Sequence, residues 1–285
     1  MPAILLAPGI DPYEVLETGN VLLLPEAPLE LSADDRDLIQ SIRQGGHHHK
    51  NISYKPQLDK VTGLDKTPTV VRERLHAILR RYSEAAVAQA ARILPRYEGS
   101  WRLDYASLRP LEESGRKLAL KKRNDLLHVD AFPTRPTNGG LILRIFWNLH
   151  PAKPRVWWIS APFEKLAARY AMPSGIGRAA RRSRLTSTLH RLGLPLPARS
   201  AYDEFMLAFH DALKGNAEFQ SDCGKQRLEF APNSAWMVFT DVVPHAVESG
   251  QFAMEQTLIV ARETLASPDR APISILEKLA GQPLA

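Results

Sequence analysis

The order of elements along the chain predicts an α+β protein built around an antiparallel β-sandwich or jelly roll. Segments rich in β-branched and aromatic residues fall in two groups, one from Trp101 to Trp158 and one from Arg227 to Ala261. Helical patterning over residues 162–218 separates the groups, and further helical patterning precedes the first. No internal repeat, low-complexity tract or long linker interrupts the 285 residues, so they read as one domain. Within it, residues 1–100 supply N-terminal strands and supporting helices. Residues 101–160 and 219–265 form the jelly-roll core, and residues 161–218 form a helical insertion.

The opening, through Val21-Leu22-Leu23-Leu24-Pro25, reads as short strands and turns around Gly19. Ser32 followed by Asp35 resembles a capping box and starts a helix that runs to about Arg43. A loop then carries Gly45, Gly46, His47, His48, His49 and Lys50. Thr67-Pro68 opens the next helix as N-cap and first-turn pair. Val71, Leu75, Ile78, Leu79 and Tyr82 follow at helical spacing, and an alanine-rich continuation reaches about Leu94. The clearest strand spans Gly140 to His150: its odd residues Leu141, Leu143, Ile145, Trp147 and Leu149 are all apolar. Its even residues mix Ile142 and Phe146 with Arg144, Asn148 and His150. The odd face therefore packs on a core beneath helices, and the even face looks into water or a ligand cavity. Strands are expected again around Trp157-Trp158, over Arg227 to Phe230, over Ala235 to Thr240 and over Phe252 to Ala261.

Composition narrows the function classes. Apolar residues make up 44% of the chain and charged residues 24%, ordinary for a globular protein. Lysine and arginine number 37 against 31 acids, leaving a formal charge of +6, which suits an anionic partner and plain solubility equally. Cys223 is the only cysteine, which excludes an intrachain disulfide, a cysteine-rich zinc site and a CxxC redox centre. No apolar run approaches the roughly 18 residues of a membrane span, and Ile4-Leu5-Leu6 lacks the basic lead-in of a signal peptide. A cytoplasmic protein, associated at most with a membrane surface, is the expectation.

Two of the nine histidines have informative settings. His128-Val129-Asp130 puts an imidazole and a carboxylate on one face of an extended segment. His245 lies just before the Gly250 turn and the last strong strand. Two histidines and a carboxylate can occupy one face of an iron(II) coordination sphere and leave three positions open. An H-x-D pair alone also arises as a surface pair with an unrelated core histidine downstream. Here the pair leads into the strand bearing Arg144, and a jelly roll can bring that edge to the strand beginning at His245.

Longer runs carry a more specific likeness. Residues 122–137 (KRNDLLHVDAFPTRPT), 102–110 (RLDYASLRP), 49–56 (HKNISYKP) and 245–257 (HAVESGQFAMEQT) resemble bacterial Kdo hydroxylases over most of the chain. The resemblance implies a double-stranded β-helix and an iron(II)/2-oxoglutarate-dependent dioxygenase. It also implies hydroxylation of carbon 3 of 3-deoxy-D-manno-oct-2-ulosonic acid (Kdo) in the lipopolysaccharide inner core, with O2 consumed and Ko, succinate and CO2 formed. His128, Asp130 and His245 become the implied iron ligands. The distal carboxylate of 2-oxoglutarate needs a cation, and arginine meets it with a bidentate fork. Many relatives place a basic residue one hairpin after the second histidine. Phe252 and its neighbours offer none, and Arg262 comes late. Arg144, on the polar face with Asn148, is the expected substitute, with Gln256 second by parity with Phe252 and Met254. Arg135 and Thr137 are placed at the cavity mouth.

Kdo is an acid and lipid A carries phosphates, so the basic residues gain a reading beyond solvation. Arg116, Lys117, Lys121, Lys122 and Arg123 immediately precede the ligand pair, and Arg178, Arg181, Arg182 and Arg184 form a second group. Both are candidates for electrostatic capture of a Kdo-lipid A precursor at the cytoplasmic face of the inner membrane. Lys50 and Lys55, near His47–His49, extend that candidate surface as a basic loop. The tryptophans read as packing residues. No RRM, helix-turn-helix or zinc-finger pattern supports nucleic-acid binding. Two other classes stay open from the residues alone: an iron(II)/2-oxoglutarate oxygenase of a nucleic acid or protein, and a non-catalytic basic β-sandwich that binds anionic glycans.

Overall fold

The computed structural model describes residues 3–42, 51–64, 67–191 and 199–285. His47–His49 and Lys50 lie outside the described residues. In chain order the strands are β1 (Ala3–Leu5), β2 (Val21–Leu24), β3 (Ile52–Lys55), β4 (Lys60–Thr62), β5 (Trp101–Arg109), β6 (Leu141–Asn148), β7 (Arg155–Ile159), β8 (Gln226–Phe230), β9 (Ala235–Phe239), β10 (His245–Ser249) and β11 (Ala253–Val260). The helices are α1 (Pro12–Glu17), α2 (Ala33–Ser41), α3 (Thr69–Ile93), α4 (Phe163–Tyr170), α5 (Ile176–Arg191), α6 (Ala201–Gly215), α7 (Ala217–Asp222) and α8 (Pro272–Ala280).

Among the described residues the strands make two sheets. The larger has eight strands in the order β1-β2-β9-β6-β11-β5-β3-β4, and the smaller has three, β10-β7-β8. All pairings are antiparallel except β1 with β2. The two sheets face each other as in a jelly roll, the α+β architecture expected from the sequence. The N-terminal segment does more than support this core, because it supplies the outer strands at both edges of the larger sheet.

β6 shows why the sheet divides the interior in two. Its odd residues Leu141, Leu143, Ile145 and Trp147 join the large core beneath the helices. There α3 lies on the sheet through Leu75, Ile78, Leu79, Tyr82, Ala86 and Ala90, spaced for one helix face. The Tyr82 hydroxyl donates to the Ile145 carbonyl at 2.8 Å, which pins helix to strand. On the other face, Phe146 joins Trp157, Phe230 and Trp236 in a smaller aromatic cluster between the sheets. Phe230 and Trp236 stack at 3.8 Å between centroids, and Trp157 meets Trp236 edge-on.

Helix starts follow their caps. Ser32 Oγ accepts from the Asp35 amide at 3.2 Å, as its spacing predicts, but α2 ends at Ser41 because Ile42 is extended. α3 begins one residue later than expected: Pro68 is its N-cap, so Thr67 lies outside the helix. α6 is capped by Ser200, whose oxygen accepts from the Asp203 amide. The Asp203 carboxylate in turn accepts from the Thr137 and Asn138 amides (2.8 and 3.2 Å). That link ties the helical insertion to the loop leading into β6. It also spends Thr137 on structure rather than on the cavity mouth.

Candidate active site

An isolated antiparallel bridge builds the site. The His128 amide donates to the His245 carbonyl at 3.1 Å, and the His245 amide returns the bond to His128 at 2.9 Å. This places the segment before β6 against the first residue of β10, so two histidines distant in sequence share one spot. The Asp130 amide donates to the Thr240 carbonyl at 2.9 Å, fixing the third residue. Ligand atoms of His128, Asp130 and His245 all lie within 4.8 Å of one another. His128 Nδ1 lies 2.7 Å from the Leu126 carbonyl and His245 Nδ1 lies 2.9 Å from that of Val243. An imidazole that donates through Nδ1 presents the Nε2 lone pair, so both rings are held in the tautomer a metal needs. The His245 ring also stacks on Trp157.

Electrostatics favour the same protonation states. Burial pushes both imidazoles below their ordinary range, and the neighbouring His245, Lys214 and His210 press His128 further down. Burial alone would raise the Asp130 carboxyl, but Arg144, His245, His128 and the Thr240 hydroxyl together hold it well below the usual range. Neutral imidazoles and an ionised carboxylate are the forms that bind a divalent cation. Asp130 Oδ2 is buried with no hydrogen-bond partner. Two nitrogens, one carboxylate oxygen that meets only the Arg144 guanidinium at 3.3 Å, and an open side fit iron(II).

Three arginines from both sheets line the same chamber: Arg109 on β5 and Arg144 on β6 of the larger sheet, and Arg155 on β7 of the smaller. Arg109 is locked to Glu255 at 2.7 Å. Arg144 bridges Glu255 (3.2 Å) and Asp130 (3.3 Å). Arg155 is 1% exposed, donates from Nη1 to the Gly250 carbonyl, and leaves Nε and Nη2 without hydrogen bonds. Its nearest carboxylate oxygen, on Glu113, is 3.9 Å away. Burial and the adjacent Arg109 lower its guanidinium to about 10. An incompletely bonded, buried arginine beside a metal triad is a ready partner for a carboxylate.

The chamber is the floor of a wider cleft of about 1060 Å³. Arg116, Lys117, Leu118, Lys121 and Lys122 form one wall, and Leu207, His210, Asp211 and Lys214 of α6 form the other. The His210 ring meets the His128 ring edge-on at 4.8 Å, so the helical insertion reaches the triad itself.

Several other residues expected at the site are engaged elsewhere. Asn148 spends its amide on the Lys153, Phe230 and Ala231 carbonyls and its oxygen on the His150 amide, which makes it a hairpin brace. Gln256 faces the helices, because β11 pairs it with Ile145. There it accepts from Ser83 and donates to the Asp104 carbonyl. Glu255, opposite Phe146, takes the inward place instead. Arg262 is paired with Glu277 and Glu263 beside a separate cleft. Arg135 pairs with Asp104, its guanidinium between the Tyr105 and Phe132 rings. Lys55 also lies over the Tyr105 ring, at 5.2 Å. Lys121 and Lys122 line the cleft, whereas Arg123 is folded back onto Asp125 at 2.5 Å.

Sequence reasoning missed Arg109, Arg155, Glu255, His210 and Lys214. Parity held a signal for Arg155, since it shares a face of β7 with the inward Trp157 and Ile159. The residues on α6 carry no comparable mark.

Comparison with known proteins agrees with this geometry. The family model for 3-deoxy-D-manno-oct-2-ulosonic acid (Kdo) hydroxylase matches residues 8–283. Among solved structures, the apo form of the Kdo hydroxylase KdoO is 32% identical, with a TM-score of 0.84 over 100% of this chain and 97% of that one. Its complex with alphaketoglutarate and Fe(III) is 31% identical, also at 0.84, covering 100% and 98%. Its complex with succinate and Fe(III) gives the same identity and score, covering 100% and 97%. A search of the curated proteins found no match. A shared sequence model over nearly the whole chain, with a shared fold around a His-Asp-His triad, places the chain in the Kdo hydroxylase family of non-haem iron(II)/2-oxoglutarate-dependent dioxygenases.

Proposed function

We propose that this chain hydroxylates carbon 3 of Kdo on a lipid A precursor, consuming 2-oxoglutarate and O2 and releasing Ko, succinate and CO2. The observation that carries the reading is the buried triad at the floor of a cleft walled by basic residues. His128, Asp130 and His245 hold the metal through one face. Iron(II) bound there supplies the open positions for co-substrate and dioxygen and the redox chemistry of the hydroxylation.

The chain's own residues position and shield. Arg155, with its two unbonded nitrogens, receives the distal carboxylate of 2-oxoglutarate, and Arg109 lies beside it. Arg144 orients Asp130 and ties it to Glu255. The outer lysines meet the anionic lipid, and the enzyme works at a membrane surface without crossing it. No helix among the described residues is long and apolar enough to span a membrane.

The test is anaerobic binding of iron(II) and 2-oxoglutarate, followed by oxygen-dependent succinate release with and without Kdo-lipid A. Turnover stimulated by Kdo-lipid A is expected. Turnover indifferent to Kdo would leave an oxygenase of another substrate, and absence of iron binding would leave a non-catalytic sandwich.

A further inference from the structure

We propose that Lys214, on the inner face of α6, receives the substrate's own carboxylate and so sets which sugar carbon faces the metal. The inference rests on the reading of Kdo as substrate. In a 3-deoxy-2-ulosonic acid the deoxy carbon is bonded to carbon 2, which carries the carboxylate. The anion thus sits two bonds from the carbon that is hydroxylated. Its partner must therefore stand beside the triad, and cations at the rim are too far away.

The cations on the floor can be accounted for one by one. Arg109 is paired with Glu255, and Arg144 with Glu255 and Asp130. Arg155 lines the inner chamber with the triad, and Lys214 is not among the residues lining that chamber. At the wall, Arg116 contacts Glu113 and Lys121 is bound to Asp211 at 2.6 Å. Lys214 differs from all of these. It is 4% exposed and lines the wide cleft with His128 and Asp130. Among the described residues its ammonium makes one hydrogen bond, to the Lys121 carbonyl at 3.1 Å, and no ion pair.

The acids around Lys214 are already engaged. Asp211 is held by Lys121, Asp125 by Arg123, and Asp130 by Arg144. Burial lowers the ammonium to about 8, with Asp130, Asp211 and Asp125 opposing that fall. A buried cation with two further donors and no carboxylate of its own is costly until an anion arrives. Its place one turn after His210, whose ring touches His128, puts that anion beside the triad.

The test uses the full chain with iron(II) and 2-oxoglutarate, comparing Kdo-lipid A with an analogue whose sugar carboxylate is a primary amide. Lys214→Met is expected to raise KM for the acid about tenfold or more, the size of a lost charge-assisted hydrogen bond. Lys214→Arg recovers part of that loss. On the amide, Lys214→Met and wild type should have the same KM. Lys214→Gln, which keeps the bond to the Lys121 carbonyl, provides the same comparison if the methionine variant does not fold. Retention of the anaerobic iron(II)–2-oxoglutarate absorption band shows that the triad is intact. An unchanged KM on the acid overturns the proposal, as does an equal penalty on acid and amide, the pattern of a phosphate contact or a packing role. A wild type that ignores Kdo-lipid A overturns the substrate reading itself and this inference with it.

Discussion

In the proposed site Asp130 supplies both a ligand oxygen and the negative charge that faces Arg144, so an isosteric amide separates charge from shape. Asp130→Asn is expected to lower iron(II) affinity by about a hundredfold, measured anaerobically by competition with a chromogenic chelator. Arg155→Met should instead raise KM for 2-oxoglutarate at least tenfold with iron affinity kept within a few-fold, since among the described residues Arg155 bonds to Gly250 and pairs with Glu113 rather than with the triad. Equal losses of metal and co-substrate would show that Arg155 braces the triad. Asp241 is a different kind of buried acid. Burial raises its carboxyl to about 7, although the Ile142 amide donates to it at 3.0 Å. A carboxyl whose folded pKa exceeds its unfolded one binds more protons in the native state, so stability falls as pH rises from about 4 to about 7 and then levels. Asp241→Asn keeps the acceptor oxygen and removes that loss. Its melting temperature should match wild type near pH 4 and exceed it increasingly up to pH 7. A constant offset across pH would contradict the assignment.

Whole elements decide which of these residues could be read from the sequence. β6 declared its faces, because five alternating apolar residues fixed the helix side and left Arg144 to the chamber. β11 declared nothing: Ala253 to Val260 is buried throughout, and Glu255, Gln256 and Thr257 put polar groups on both faces. Its register against β6 alone turns Glu255 inward and Gln256 outward, and register is a tertiary property that no single strand encodes. Asn148 misled for a related reason: it has the parity of Arg144 but sits at the strand's end, where hairpin carbonyls claim it. The turn between β10 and β11 shows the same dependence on neighbours. Gly250 has φ +138, and a Cβ there would lie 2.6 Å from Arg155 Cγ. Gly250→Ala should therefore cost about 1–3 kcal/mol of stability through backbone strain. It should also raise KM for 2-oxoglutarate by displacing Arg155. Thermal unfolding and initial rates would separate the two effects, and a destabilised variant with unaltered KM would mean that Arg155 is not steered from this turn.

At the scale of the molecule, the jelly roll supplies the His-Asp-His triad and the insertion supplies one wall of the cleft. That division explains what the sequence could and could not disclose. The triad lay in runs long enough to be matched to a family, whereas His210 and Lys214 lie on a helix whose pattern shows only burial. Only folding brings α6 to the cleft beside the triad. The formal +6 is likewise spread along the chain but concentrated in space, with Lys117 and Lys122 exposed at the cleft rim beside the half-exposed Leu120. Neither lysine has an ion pair among the described residues, which suits the proposed contact with lipid phosphates, worth about 1 kcal/mol per lysine at an anionic surface. Reversing both, as Lys117→Glu with Lys122→Glu, should raise KM for vesicle-borne Kdo-lipid A about tenfold or more at low salt. The difference should shrink as ionic strength rises, because exposed charges are screened over about 10 Å at 0.1 M. A small water-soluble Kdo glycoside, which lacks the phosphates, should be turned over equally by both proteins. If the glycoside suffers the same penalty, the rim lysines act on the sugar and the cleft has no separate lipid-facing rim.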